Sequence, residues 1–426
     1  MRNKEKGITL IALIITIIVM LILVGVVVTV VIQSNLLGTA KTAGDKYKTA
    51  YEDESNMSEV TINGEKYASI EDYLEGKVKL PEIKAGERAS ETSKYQTAVI
   101  PKGFTVSNLA GEKDVATGLV IYDISENEIE NVKWDGTEKT KYNQFVWIPV
   151  EVNKATDTET NIANFYRSEW VNNARSGNLT ESTKYTEPSV ENDTDDKTKI
   201  ASQIENLTKS IYKYGGFYIG RYEAGSETER TSASKTTVTP IGIKQDMYPY
   251  NNVKWGESMS NIGTVGAVYL SNSLYNSSNY GATSMLCTGA CWDSMLDFIK
   301  DEEHDVTNGS SWGNYYNSGP YKIYRGKVNS SGWENVDPTN GTEKAYEARI
   351  LMTTGATERN LAKNIYDIAG NCWEWTTEIS SLGRRISRGG IFFYDGGSEP
   401  ASYRAASTVD SIGGGISFRP ILYVNL

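Results

Sequence analysis

The chain has 426 residues, a net charge of −11, and 54 acidic against 43 basic side chains. That balance, with no basic stripe, excludes nucleic acid as a partner, because gripping phosphates needs clustered Lys and Arg. Cys287 and Cys291 could be metal or redox partners, but Cys-x-x-x-Cys is a weak signal with His304 the single histidine; the third cysteine, Cys372, makes the count odd and leaves at least one thiol outside any intramolecular disulfide.

At the N-terminus Arg2, Lys4 and Lys6 lead to Gly7, then to an apolar run from Ile8 to Ile32 broken only by Thr9, Thr16, Gly25 and Thr29. At about 1.5 Å per residue such a helix exceeds the roughly 30 Å hydrocarbon core of a bilayer. It is too long for a secretory h-region of about 7–15 residues. The basic flank predicts a cytoplasmic N-terminus with the remaining chain outside. The junction KGITLIAL resembles the type IV prepilin signal. That resemblance implies cleavage between Gly7 and Ile8 by a prepilin peptidase, and other pilins as partners. Ala12 stands where that family carries glutamate, which points to a minor or tip pilin or a plain membrane anchor.

Residues 1–7 therefore read as a basic leader, and 8–50 as the anchor helix with a polar extension. Within 51–94, VTINGEKYASIEDYLEG predicts a turn or hairpin at Asn63-Gly64, a short helix and a linker. From residue 95 the runs TAVIPKGFTV, TGLVIYDI and QFVWIPVEV alternate like strands. A polar insertion spans 151–200, within which NDTDD reads as solvated, and a helix is predicted near Lys199–Tyr212. KYGGFYIGRYEAG predicts a further strand. CWDSMLDFIKDE places Trp292, Met295, Leu296 and Ile299 at helical spacing. Cys287 and Cys291 are spaced to share one helical face, most simply as small buried residues.

The last third carries the most specific pattern. Asn364, Asp367, Gly370, Asn371, Trp373, Glu374 and Trp375 are followed by Arg388, Gly389, Gly390, Tyr403, Arg404, Phe418 and Arg419. This order resembles the formylglycine-generating-enzyme-like domain, also called the sulfatase-modifying-factor domain. The resemblance spans Lys141–Leu426 with a weaker lead-in from Tyr95, sets a domain at 95–426, and implies a C-type-lectin fold. The expected class is α+β: a transmembrane or pilin-like helix, then an irregular lectin-like domain of small twisted sheets, helices and long loops. Independently of it, Trp373 and Trp375 would share one face of a strand and bury a large area. Gly389-Gly390 opens backbone geometry closed to other residues. Arg388, Arg404 and Arg419 can each hold carboxylates or carbonyls through a planar fork. Asn371 and Glu374 offer oxygen ligands, and the resemblance implies a calcium site there.

The family's chemistry lacks its reagents. Its oxidases use a cysteine pair to bind copper near the Tyr-Arg motif, but SEPASYRAASTVDSIGG has none, and Ala405 follows Arg404. Its iron-dependent members need several histidines. An extracellular oxidase is thus the weaker alternative to a non-enzymatic, surface-displayed adhesion protein whose head binds a protein or glycan on another cell or phage. A minor pilin with a purely structural head is the other. Function concentrates on variable loops over a fixed scaffold. Phe393, Tyr394, Asp395 and Ser398 follow Arg-Gly-Gly and are the first ligand candidates, with Ile391-Phe392 replacing the family's Ser-Trp. Tyr315 and Tyr316, beside Trp312 in a Gly/Asn-rich loop, are the second. The ending near Phe418-Arg419-Pro420 also resembles the variable proteins of diversity-generating retroelements.

Overall fold

The computed structural model describes residues 60–62, 65–67, 98–125, 128–179, 184–188, 195–232, 240–256, 265–276 and 279–426. The leader, the apolar run 8–32, the Gly7–Ile8 junction and the helix expected after the first hairpin lie outside them. Among the described residues no helix is long and apolar enough to cross a membrane. The chain divides into two units, Met1–Lys79 and Leu80–Leu426. In the first, Val60–Ile62 pairs antiparallel with Glu65–Tyr67 across Asn63-Gly64.

The second unit is mixed, rich in sheet and poor in helix. Its largest sheet runs Ala282–Leu286, Pro420–Val424, Gly216–Gly220, Gln144–Pro149, Val120–Tyr122, Thr105–Val106, antiparallel throughout. Successive side chains of a strand point to opposite faces, and here both faces are buried. Val146 and Ile148 enter one core with Phe217, Ile219 and Ile421. Phe145 and Trp147 enter a second core with Tyr218, Leu422 and Val424. The strands expected at 117–124 and 144–152 thus serve two cores at once, which explains their near-continuous hydrophobicity. Of the run expected at 97–106, Ala98, Val99, Ile100 and Phe104 enter the second core alone and only Thr105–Val106 is a strand.

Helices cover the first face. The insertion helix spans Asp195–Tyr214, longer than expected, and drops Leu207 and Ile211 into the first core. The helix Gly289–Ile299 buries Trp292, Met295, Leu296 and Ile299 there, as their spacing predicts. Thr288 caps it by accepting from the Cys291 amide at 3.1 Å. Cys287 lies before that cap, after the strand Ala282–Leu286, so the two cysteines do not share a helix.

A second sheet builds the motif region. Trp373–Ser380 pairs antiparallel with Arg385–Arg388 and parallel with Ile416–Phe418, while Arg404–Ser407 adds outside Arg385–Arg388. Trp375 is fully buried in the second core and Trp373 packs at its margin. The polar insertion contributes structure here. Tyr185–Thr186 pairs with Ser380 and Ile379, and Ser168–Val171 forms a hairpin with Ala174–Asn178. Ser168 is buried there, and its amide and the Trp170 indole N–H both donate to one carboxylate on the helix Gly289–Ile299.

Candidate functional site

That carboxylate is Asp293. Its Oδ1 receives Arg388 Nη2 at 2.7 Å and the Trp170 indole N–H at 2.9 Å. Its Oδ2 receives Arg404 Nη2 at 2.7 Å and the Ser168 amide at 2.8 Å. Glu378 closes a ring, accepting from Arg388 at 3.1 Å and Arg404 at 3.0 Å. Two acids and two guanidiniums, all buried, sum to zero charge. Burial alone would raise the Asp293 carboxyl, but Arg388 and Arg404 outweigh it and hold it at about 2. Arg388 Nε also donates to Tyr403 O at 3.0 Å, tying the ring to the last loop.

A second buried pair lies across the sheet. Arg419 grips Glu374 through Nε at 2.9 Å and Nη2 at 2.6 Å. Its remaining donors reach Gly220 O at 2.8 Å and Tyr366 O at 2.9 Å. Asn371 accepts from Asn314 Nδ2 and the Met352 amide, both at 3.0 Å, and donates to Glu223. The calcium reading of Asn371 and Glu374 is therefore corrected: their oxygens already face protein donors. Among the described residues no group of three or more His, Cys, Asp or Glu side chains could hold a metal.

On this frame sits the loop after Arg388. Gly389 and Gly390 have φ of +95° and +74°, and a Cβ on Gly390 would lie 2.1 Å from Glu399 O. Only glycine lets the loop fold back so closely. Asp395 shapes its far end, accepting from the Gly397 amide at 2.7 Å and the Ser398 amide at 3.1 Å. The predicted second loop meets it there. Gly309 donates to Gly396 O at 2.9 Å, and Tyr316 donates to Tyr394 O at 3.1 Å. Asn317 also donates to the Asp395 carboxylate.

The sequence candidates separate in this arrangement. Phe393 and Tyr394 are 47% and 44% exposed. Their rings lie 5.7 Å apart, edge to face, and Tyr394 lies 5.7 Å from Trp373. Arg349, which the sequence reading missed, spreads its guanidinium over Phe393 at 4.5 Å and Tyr316 at 5.1 Å. Ser398 is exposed beside them. Tyr315 is the correction: it is fully buried, with its hydroxyl donating to Gly389 O at 2.9 Å, and so is a core residue. Trp312 is likewise buried. The Asp395 carboxylate is taken up by the turn.

A cleft of about 340 Å³ opens beside this aromatic tip, between the 168–185 segment and the end of the loop. Trp170, Tyr185 and Tyr403 line it with Glu169, Lys184 and Ser398. Arg404 passes beneath, 5.3 Å from the Tyr185 ring. Two carboxyls near it are raised to about 7. Glu187 is raised by burial and by Glu378, against the pull of Arg167; it accepts from the Gly289 amide at 2.8 Å, at the N-terminus of the helix. Glu399 is raised by burial. The Trp373 N–H lies near enough to lower Glu399, yet neither Glu399 Oε2 nor Trp373 Nε1 has a hydrogen-bond partner of ordinary geometry. The sequence signal for this cleft was the pair Trp170 and Tyr185 inside an otherwise polar stretch.

Neither a family model nor a curated protein matches the chain. Among solved structures it is similar to Treponema denticola variable protein 1, at 15% identity and a TM-score of 0.28, over 49% of this chain and 85% of that one. It is also similar to CarF, at 13% identity and a TM-score of 0.25, over 50% of this chain and 87% of that one.

Proposed function

We propose that the protein is a non-enzymatic recognition protein, displayed outside a membrane by its N-terminal apolar segment and binding a ligand through the loop between Arg388 and Phe418. The observation that carries this reading is an aromatic cluster, with Phe393 and Tyr394 exposed and Tyr316 half-buried, on a frame locked by buried ion pairs. Rigid aromatic rings over a preorganised scaffold give contact area at low entropic cost. The three thiols support a structural role. All are buried, and burial raises each one, away from a reactive thiolate. His304 is spent on Asp301 and the Leu361 carbonyl.

The test is an array of cell-surface proteins and glycans probed with the full chain, with and without the double substitution F393S/Y394S. Both side chains are exposed, so stability should change by less than about 1 kcal/mol. Binding should fall by more than about tenfold, as for loss of central aromatic contacts. Retained binding in the variant would remove the loop from the interface. No binding by the parent chain, with piliation lost when residues 95–426 are deleted, would favour a structural pilus tip.

A second reading, diversification of this loop by a retroelement, is favoured by one observation. Side chains from Phe393 to Gly414 are largely exposed or half-buried, while Arg385–Arg388 and Ile416–Phe418 on either side are buried. Apart from Gly396, Ala401 and Arg404, which pack against the frame, such a segment can change sequence without touching the core. Sequencing the codons for 385–426 within one population and its close relatives should reveal substitutions clustered at adenines between Gly390 and Phe418. Uniform codons would end this reading.

A further inference from the structure

The cleft differs in chemistry from the aromatic tip. Its walls are held by a single group: Asp293 accepts from Trp170 on one side and from Arg404, next to Tyr403, on the other. Arg388 adds its bonds to the carbonyls of Tyr403 and Ser402, at 3.0 and 3.3 Å. The walls are thus preorganised, and neither can move without breaking a buried charged hydrogen bond. The charge of the lining is balanced. Glu169 and Lys184 contribute one charge of each sign, the Lys184 ammonium lying 5.1 Å from the Tyr185 ring centre, and Arg404 is neutralised by Asp293 and Glu378. An anion or a cation therefore gains little from this lining.

What the cleft presents is a combination of aromatic surface and hydroxyl-matching polar groups. Trp170 and Tyr185 are half-buried, Tyr403 is 38% exposed, and Glu169, Lys184 and Ser398 stand exposed at the rim. A carboxylate accepts, an ammonium donates and a serine hydroxyl does both. A ligand hydroxyl, itself donor and acceptor, can satisfy all three in turn. The volume of about 340 Å³ lies at the small end of ligand sites, suited to one or two rings rather than an extended peptide.

We infer that the cleft between Trp170, Tyr185 and Tyr403 is a subsite for a neutral pyranose sugar. The apolar C–H face of the ring stacks on the aromatic wall, and its hydroxyl edge bonds to Glu169, Lys184 and Ser398. This rests on the recognition reading above, and it names the class of ligand that reading leaves unspecified. Trp170 and Tyr185 come from the segment before the insertion helix and Tyr403 from the terminal loop, so the subsite needs both.

The experiment is ligand-observed saturation-transfer NMR on the full chain. The probes are the methyl α-pyranosides of glucose, galactose and mannose, with N-acetylglucosamine, choline and acetate alongside. At least one neutral pyranoside should receive saturation, strongest on the protons of one ring face, while choline and acetate receive none. Tyr403→Ala and Glu169→Gln should each weaken that sugar by about tenfold, the order expected for one stacking or charged hydrogen-bond contact. Thermal melts of both variants confirm that the head remains folded. Saturation of none of the pyranosides, or of the charged probes equally, overturns the inference, as does parental affinity in both folded variants. Failure here with array binding still lost in F393S/Y394S would remove the sugar and leave recognition standing. Loss of both would remove the site itself.

Discussion

Replacing Asp293 by alanine should destabilise the head by about 3–5 kcal/mol, the range for removing one partner of a buried ion pair. The substitution leaves Arg388 and Arg404 with only Glu378 for two positive charges in a ring where Arg388 and Glu378 are fully buried. It also strips acceptors from the Trp170 indole and the Ser168 amide, and a buried donor left unmade carries its whole desolvation penalty. Chemical denaturation followed by tryptophan fluorescence reads the effect. Asp293→Asn should fall between the two, because the amide still accepts hydrogen bonds but leaves the ring with an excess positive charge. A loss below about 1 kcal/mol for the alanine variant would mean that the ring relaxes around water and does not hold the cleft walls.

Arg419→Met should have a comparable effect, again about 3–5 kcal/mol, for the opposite reason: it strands a negative charge. Glu374 would lose both of its guanidinium contacts, with the buried acids Asp367 and Glu223 close by. Glu223 is already pushed well above the usual carboxylate range, by burial first and then by Asp367 and Glu374. Removing the guanidinium that grips Glu374 should therefore hurt more than the lost packing. The signature is coupling. Adding Glu374→Gln to Arg419→Met should recover part of the loss, because the uncompensated charge disappears with it. Strictly additive losses in the double-mutant cycle would show that Arg419 acts through packing and its bonds to Gly220 and Tyr366, not through charge.

Much of this scaffold was legible in the chain. The runs QFVWIP and GFYIG read as strands, and their scarcity of polar positions is explained by a sheet with a core on each side. The helix at Gly289–Ile299 followed from apolar spacing alone. Arg388, Arg404 and Arg419 were read as holders of carboxylates or carbonyls, and each holds both. Phe393 and Tyr394 were picked from an aromatic run next to glycine and acid, and they are exposed.

Other features were beyond local pattern. Tyr315 and Tyr316 are neighbours in a loop with no period, and one is fully buried while the other is not. Nothing in their spacing separates them, because a loop's burial depends on what folds over it. Asn371 and Glu374 looked like cation ligands until the donors opposite them were known. With 54 acidic residues in the chain, no local rule selects Asp293 and Glu378 as the partners of Arg388 and Arg404. By itself, then, the sequence determined which segments are strands and helices, which faces are apolar and which loop carries exposed aromatics, since each follows from residues within a few positions of one another. Only the tertiary structure decided that Trp170 and Tyr185 share a cleft with Tyr403, and that one buried carboxylate holds its two sides. The reason is physical: Trp170 and Arg404 meet at Asp293 from 123 and 111 residues away, and contacts over such distances are set by the whole path of the chain.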